Sequence, residues 1–323
     1  MTKNILIAPL AALLALSPLS AQQPEKKEYP SPNAIVDAAP ASDWKSVAPS
    51  DLLIMDLAPD AKDEARRVII QLMPPPFSQG WIGNIRKLVA AKFWDGTSIN
   101  RVQDNYVVQW GDAGYDNPES GEVEQKALPD DLLEVPESEY DMYMHMEEKI
   151  HLSHNLRLES PADAYASWGY FDQGWPIASD TVSKWPVHCY GAVGVGRNLS
   201  PDTGTGAELY TVIGHAPRHL DRNIALVGRI IEGMEHLSSL PRGKGQLGFY
   251  ADTSKRVPIQ SIRLGDALPN TKQPQFKYLD TDSTAFAQYA DARANRRDPF
   301  FIKPAGGTDI CNIPVPVRRV MAK

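Results

Sequence analysis

The apolar positions of the chain fall mainly into short runs typical of β-strands, with one stretch at helical spacing. Residues 52–57 and 68–72 are almost continuously apolar and are separated by a charged turn, which predicts a hairpin of two buried strands. Between residues 78 and 92 the apolar side chains recur every three or four positions. This spacing predicts an amphipathic helix whose buried face is formed by Trp81, Ile85 and Leu88.

The stretch from Phe93 to Asp112 contains the most informative local pattern. A turn precedes a β-type segment that carries Arg101, and a second turn precedes an apolar strand. Because side chains alternate along a strand, Val107 and Gln109 are expected on the same face. An arginine and a glutamine are thus brought beside apolar surface on adjacent strands, and the stretch holds no nucleophile, metal-ligand cluster or phosphate loop.

The second half of the chain predicts further regular elements. A short helix is expected at 235–240 and a strand at 257–262. Beyond them, a helix is predicted from Ser283 to Arg297. Its buried face is expected to contain Phe286, Tyr289 and Ala290.

Two long segments lack such patterns. Residues 22–50 are rich in proline, alanine, serine and charge, and we expect a flexible tether there because this composition buries little surface. Residues 113–187 are irregular and acidic, but they include several aromatic side chains between 168 and 175. These aromatic residues indicate that the segment packs on the rest of the protein.

Composition and charge narrow the class of protein. Of the 323 residues, 42% are hydrophobic and 23% are charged, as in ordinary globular proteins. The net charge of −7 argues against a nucleic-acid partner, because such proteins present basic surfaces. Residues 1–21 combine an early lysine, an apolar run and small residues at a cleavage site, which is typical of a secretory signal. An uncleaved anchor is the alternative, but the run is too short to span a bilayer, so we expect no membrane attachment after cleavage.

The two cysteines, Cys189 and Cys311, gain importance from the predicted export. Disulfides persist outside the cytoplasm, and an even count allows one bridge. In the chain-entropy model, closing so long a loop would stabilise the protein by about 4–5 kcal/mol. The alternative is two separate buried thiols, and the sequence leaves both open.

The histidines of the acidic segment raise the question of a metal site. His151 and His154 could lie on one helical face and bind zinc together with Glu147 or Glu148. The spacing is not that of the HExxH motif, and no second pair completes the ligand set, so His145 and its neighbours are ordinary surface histidines in the simpler interpretation. We predict no metal.

The segments DGTSINRV (residues 95–102) and YVVQWGD (residues 106–112) resemble, in order and without a gap, the signature of the cyclophilin family of peptidyl-prolyl isomerases. Asn100 stands where the family usually has histidine, and Trp110 where it usually has glycine. Residues 191–214 and the run LVGRIIEGM (residues 226–234) resemble later family segments.

The resemblance implies a mainly β fold, a closed eight-stranded antiparallel barrel capped by two helices. This cyclophilin-like domain is expected at residues 51–267, with an insertion at about 113–187. Residues 268–323 form a C-terminal extension that lies outside the resemblance, and we expect it to dock on the barrel, with Cys311 as a fastening point.

The resemblance also implies an active site without a cofactor. Arg101 matches the catalytic arginine of the family. Gln109 would accept a hydrogen bond from the Arg101 guanidinium and fix its orientation. The substrate-binding positions of the family correspond to Tyr106, Val107, Gly196, Glu208, Tyr210, His219 and Leu220.

These residues could catalyse rotation about a prolyl bond by binding alone. An X-Pro bond isomerises slowly because rotation breaks amide resonance. A catalyst need only bind the twisted amide more tightly than either planar form. In the twisted amide the prolyl nitrogen regains a lone pair, and a guanidinium such as that of Arg101 can donate to it.

The sequence departs from the family in the expected proline pocket. Val107 is shorter than the usual methionine, Tyr210 adds a hydroxyl, Ile224 replaces a histidine and Glu208 replaces a glutamine. We therefore expect low activity or an altered substrate preference.

The leading interpretation is a monomeric isomerase of a Gram-negative periplasm that acts on proline-containing polypeptides. The alternatives are a non-catalytic proline-peptide binding module or chaperone on the same fold, and a zinc-dependent enzyme built on the histidines of the insertion.

Overall fold

The computed structural model describes residues 28–115, 117–144 and 163–320. Within them the strands are β1 Trp44–Val47, β2 Leu52–Leu57, β3 Arg66–Leu72, β4 Ser98–Val102, β5 Val107–Gly111, β6 Met142–Tyr143, β7 Trp168–Asp172, β8 Trp175–Ser179, β9 Ser183–Pro186, β10 Ala192–Val195, β11 Leu209–Val212, β12 Leu226–Glu232, β13 Val257–Leu264, β14 Phe276–Leu279 and β15 Val317–Arg319. The helices are α1 Pro32–Ala38, α2 Gln79–Ala90, α3 Glu235–Ser238 and α4 Thr284–Ala294.

Eight of these strands form a closed barrel, which confirms the predicted fold class. The order around the barrel is β10-β11-β5-β4-β13-β2-β3-β12, and every neighbouring pair is antiparallel. The apolar runs at 52–57 and 68–72 are the adjacent strands β2 and β3, as the pattern predicts. Trp110, the residue that stands in place of glycine, is fully buried inside the barrel.

Helix α2 packs on the barrel through the apolar face that its spacing predicts. Trp81, Ile85 and Leu88 are fully buried in the main core. The indole Nε1 of Trp81 donates to the carbonyls of Thr203 and Gly204 at 3.2 and 3.0 Å. These bonds connect the helix to the loop that precedes β11, and this loop forms part of the candidate site.

The prediction of a flexible tether at 22–50 is wrong for residues 32–47, which form helix α1 and strand β1. Strand β1 pairs with β14 of the C-terminal extension, and β15 completes this three-stranded sheet. Trp44 is buried against the extension in a cluster that includes Leu279, Phe286 and Tyr289. The composition of the segment predicts little buried surface, but its few apolar residues pack against partners more than 200 positions away in the chain.

The C-terminal extension is ordered and docks on the barrel, as predicted. Helix α4 begins after Ser283, whose hydroxyl accepts from the backbone N–H of Phe286 at 3.1 Å. Phe276 of β14 packs with Ile54 and Ile69, which come from the barrel strands β2 and β3. The N-terminal segment and the extension therefore form one layer on the outside of the barrel.

The insertion contributes a further sheet with the order β6-β9-β8-β7. Trp175 and Ile177 of β8 belong to the main core, so this sheet packs on the barrel. Cys189, just after the insertion, forms a disulfide with Cys311 of the extension, across a sequence separation of 122 residues. The sequence did not decide between a disulfide and two free thiols, and the structure shows the disulfide. It joins the segment just before the barrel strand β10 to the C-terminal extension.

Several predictions fall on residues that the structure does not describe. The signal peptide at 1–21 lies outside the described residues, as do His145, His151 and His154. Within the three described ranges, no cluster of histidine, cysteine or acidic side chains could hold a metal ion. The helices in these ranges are too short or too polar to cross a membrane.

Candidate active site

One row of residues across four barrel strands forms the base of the candidate site. In the strand register, Arg101 of β4 lies opposite Gln109 of β5, Gln109 lies opposite Tyr210 of β11, and Tyr210 lies opposite Gly194 of β10. A Cβ atom at Gly194 would lie 2.3 Å from the Tyr210 hydroxyl, so a larger residue at this position would collide with the ring. The register therefore places a guanidinium, an amide and a phenol side by side.

The guanidinium of Arg101 is fixed by three neutral acceptors. Its Nη1 donates to Oε1 of Gln109 at 3.0 Å, its Nε donates to the carbonyl of Leu247 at 2.7 Å, and its Nη2 donates to Gln103. Leu247 has a φ of 52°, a left-handed conformation that leucine rarely adopts. Three of the five N–H donors are used within the described protein, which leaves two for a ligand.

Aromatic rings and burial set the electrostatics around this arginine. The Cζ atom of Arg101 lies 5.6 Å from the centroid of the Phe249 ring and 5.9 Å from that of Tyr106. Burial lowers the pKa of Arg101, and the group remains a cation because arginine does not lose its proton in proteins. A permanent positive charge is thus held partly out of water.

A cavity of about 190 Å³ lies over this row, and we name it the proline cavity after the pocket expected from the sequence. Its lining includes all but one of the predicted site residues, namely Arg101, Tyr106, Val107, Gln109, Gly196, Glu208, Tyr210 and Leu220. Ile224, which replaces a histidine of the family pattern, also lines it. The apolar and polar parts of the predicted site are therefore brought together.

His219 is the predicted site residue that the structure does not bring to the proline cavity, because this residue is exposed and does not line it. The chain forms a single 3₁₀ turn at Arg218–Leu220, which turns Leu220 towards the cavity and leaves His219 outside. In the same turn Arg218 is buried and donates to Asp221 at 2.7 Å. This ion pair fixes the turn in the orientation that exposes the histidine.

Glu208 is a buried carboxyl group at the edge of the cavity. Its Oε2 accepts from Nε2 of Gln109 at 3.2 Å, while its Oε1 has no hydrogen-bond partner among the described atoms. A Cβ atom at Gly111 would lie 1.9 Å from Oε1, so the carboxyl packs directly against that glycine. Burial raises the pKa of Glu208 well above its ordinary value. The group is therefore a neutral acid over a wider pH range than an exposed glutamate, which moderates the difference from the glutamine of the family.

A buried polar network lies behind Tyr210. The Tyr210 hydroxyl lies 2.9 Å from Nε2 of His188, and Nδ1 of His188 lies 2.9 Å from Oδ1 of Asp221. Burial alone would raise the pKa of Asp221, but hydrogen bonds from His188 and Arg218 outweigh it and hold the pKa below its usual value. Since an ionised carboxylate only accepts, Nδ1 carries a proton. The network fixes the phenol ring that forms one wall of the cavity.

Some residues of the site give no signal in the sequence. His188 directly precedes Cys189, just after the insertion and outside the segments whose residues resemble the family signatures. Leu247 and Phe249 come from an irregular loop, and Asn117, which accepts from Gln109 at 3.1 Å, lies in the insertion. Their contributions depend on tertiary contacts between distant segments, which periodicity does not show.

Comparisons with known proteins agree with this fold. The family described as cyclophilin type peptidyl-prolyl cis-trans isomerase/CLD matches residues 80–264, more than half of the chain. The crystal structure of cyclophilin AquaCyp293 from Hirschia baltica has a TM-score of 0.61 at 22% identity, over 87% of this chain and 94% of that one. No curated protein sequence matches the chain.

Two crystal structures of a cyclophilin type peptidyl-prolyl cis-trans isomerase from Cryptosporidium parvum are more distant. The one solved in the presence of the dipeptide Ala-Pro has a TM-score of 0.36 at 11% identity, over 65% of this chain and 98% of that one. The other has a TM-score of 0.37 at 12% identity, over 66% and 96%.

The closed barrel and its arginine-containing cavity define a cyclophilin-type domain. With a family match over residues 80–264, the chain belongs to the cyclophilin-type peptidyl-prolyl cis-trans isomerase family.

The raised pKa of Glu208 predicts a pH-dependent effect of Glu208→Gln on stability. Because the folded protein holds the proton more tightly than the unfolded chain does, the wild type loses stability as the pH rises above the ordinary glutamate range. Glutamine does not titrate, so we expect Glu208→Gln to exceed the wild type by roughly 1–3 kcal/mol in the free energy of unfolding at about pH 8. The gain should shrink towards about pH 4. Urea denaturation across this range measures it.

Glu134→Gln, at an exposed position, is the matched control for removing one carboxylate. A stability difference between Glu208→Gln and the wild type that stays constant with pH would contradict the assignment of a buried, proton-binding carboxyl.

Proposed function

We propose that the protein is a peptidyl-prolyl cis-trans isomerase for X-Pro bonds of exported proteins, with Arg101 as the catalytic residue. The observation that carries the proposal is the guanidinium of Arg101, held by Gln109 at an open cavity, with two N–H donors left for a ligand. The family is one of prolyl isomerases, which supports the reaction class.

In this proposal the prolyl ring packs in the apolar part of the cavity. Val107, Tyr210 and Leu220 offer a wall on which the ring loses contact with water. The amide on its N-terminal side then lies near the guanidinium. The shorter Val107 and the tyrosine ring leave a pocket of different shape from that of the family pattern, so selectivity for the residue before proline is expected to differ.

Arg101 lowers the barrier by favouring the twisted amide. In the planar amide the nitrogen lone pair is delocalised and accepts poorly, whereas at the twisted geometry it is localised and basic. A positively charged donor held partly out of water binds this twisted state more tightly than the two planar ones. This difference in binding free energy lowers the barrier to rotation. Gln109 holds the guanidinium at a fixed angle, so little reorganisation is needed during the rotation.

The decisive test is a protease-coupled X-Pro assay with the wild type and Arg101→Ala. Loss of one preorganised electrostatic donor typically costs about 10²–10³-fold in rate, and we expect a fall in kcat/KM of that size. Arg67→Ala, which removes an exposed arginine on β3 outside the cavity, is the matched control and should keep full activity. Circular dichroism of each variant shows that the barrel is intact.

The assay also separates the proposal from its alternative, a non-catalytic binding module. Proline-peptide binding by the wild type without turnover would favour the module. Equal turnover in the wild type and Arg101→Ala would exclude Arg101 as the catalytic group.

We further propose that the protein is exported to the periplasm and acts there on proline-containing polypeptides as a monomer. Support comes from the disulfide between Cys189 and Cys311, a bond that is rare in reducing compartments. The signal-like residues 1–21 point the same way.

Fractionation of a Gram-negative host that expresses the full chain tests the export. We expect protein in the periplasmic fraction, with an N-terminus at or near Gln22 and cysteines that react with iodoacetamide only after reduction. Protein that stays in the cytoplasm with residues 1–21 intact and reactive thiols would contradict export.

A further inference from the structure

A second cavity, the outer cavity, lies between the barrel, the insertion sheet and the C-terminal extension. Its volume is about 440 Å³, more than twice that of the proline cavity and within the range of about 300–1,000 Å³ common for small-molecule sites. The disulfide between Cys189 and Cys311 forms part of its wall. Tyr190, which is 53% exposed, also lines it, so the cavity reaches the surface at this residue.

The lining of the outer cavity is apolar apart from two positive charges. Side chains such as Met73, Trp175 and Val315 form the walls. Among the described residues that line it, the charged ones are Arg229 and Arg293, and none is acidic. Two like charges without an opposite charge are unfavourable in a mainly apolar cavity, because a charge held away from water is costly without a partner.

Arg229 is held in place entirely by neutral groups. Its Nε and Nη2 donate to Oε1 of Gln71 at 3.0 and 2.8 Å, and its Nη1 donates to the carbonyl of Gly174 at 2.7 Å. The guanidinium carbon lies 4.4 Å from the centroid of the Trp175 ring. Burial lowers the pKa of Arg229 to about 10, which leaves it positively charged at neutral pH.

These contacts orient Arg229 without neutralising it. No carboxylate of the described chain forms an ion pair with this arginine, and two of its five N–H donors remain unused there. A purely structural brace between the barrel and the hairpin turn at Gly174 would need the hydrogen bonds but not the charge. A positive charge without a carboxylate partner, beside an apolar cavity, is what a ligand anion would satisfy.

Arg293 of helix α4 brings the second charge from the opposite layer. Its Nε donates to the carbonyl of Asn312 at 2.7 Å, and within the described ranges it also forms no ion pair with a carboxylate. The two arginines therefore come from different layers, one from the barrel and one from the extension. An anion in the outer cavity thus has an arginine available from each layer.

We propose that the outer cavity binds an amphiphilic monocarboxylate, a single carboxylate group on a medium-length hydrocarbon chain. Arginine pairs with carboxylates in a planar, two-bond geometry, which fits the unused N–H donors. The apolar walls would bury the hydrocarbon chain. A small hydrophilic anion would leave those walls in contact with water, and a multiply charged one would lose more hydration on entry.

Isothermal titration calorimetry with dodecanoate, kept below its micelle-forming concentration, tests this site in the full-length protein. We expect saturable binding of dodecanoate at least about tenfold tighter than that of dodecanol, because charged hydrogen bonds add to the apolar contact. Arg293→Gln, which removes one charge near the cavity mouth but keeps a donor, should weaken dodecanoate by about tenfold or more and leave dodecanol unchanged.

Further variants separate this site from the proline cavity and from simple misfolding. Arg101→Ala should leave dodecanoate affinity unchanged. Arg229→Lys, which keeps the charge but loses the two-bond geometry, should weaken dodecanoate by a larger factor than dodecanol. Dodecanoate binding no tighter than dodecanol, unchanged in Arg293→Gln, or lost in Arg101→Ala would overturn the proposal.

Discussion

The pairing of Arg101 with Gln109 across β4 and β5 is the interaction on which the site depends. It exists because the barrel is closed, so that the register of β4, β5, β11 and β10 is fixed and a single row carries guanidinium, amide, phenol and glycine. A slip of one residue in any of these strands would turn its side chain to the other face. The closed core therefore supplies the geometry, and the loop at Leu247 adds a third anchor to the arginine.

The residues that depart from the family pattern change the surroundings of this row more than the row itself. Glu208 keeps a hydrogen bond with Gln109, and its buried, proton-holding carboxyl resembles the amide that it replaces. Tyr210 gains a hydroxyl, and the chain supplies a partner for it in His188, which is in turn held by Asp221. Each polar addition is therefore accompanied by a buried partner, and the cavity remains open.

Local pattern was sufficient for the first strands and the first helix, whereas the closed barrel and most of the candidate site were implied by the family resemblance. The strands at 52–57 and 68–72 and the helix that contains Trp81 follow directly from apolar spacing, and the family resemblance brought Arg101, Gln109 and Tyr210 together. What the sequence did not show depended on distant contacts. Residues 32–47 look like a tether until the C-terminal extension covers them, and the turn that leaves His219 outside the cavity is held by Arg218, which pairs with the distant Asp163 as well as with Asp221. The outer cavity likewise exists only where three remote segments meet.

The most direct test of the account is a crystal structure of the protein with a bound X-Pro tetrapeptide. We predict the prolyl ring in the proline cavity against Val107 and Tyr210, with a nitrogen of the Arg101 guanidinium within hydrogen-bond distance of the prolyl amide and the bond to Gln109 retained. A peptide bound elsewhere, or a prolyl ring in the cavity with Arg101 still directed only at protein acceptors, would contradict the central claim.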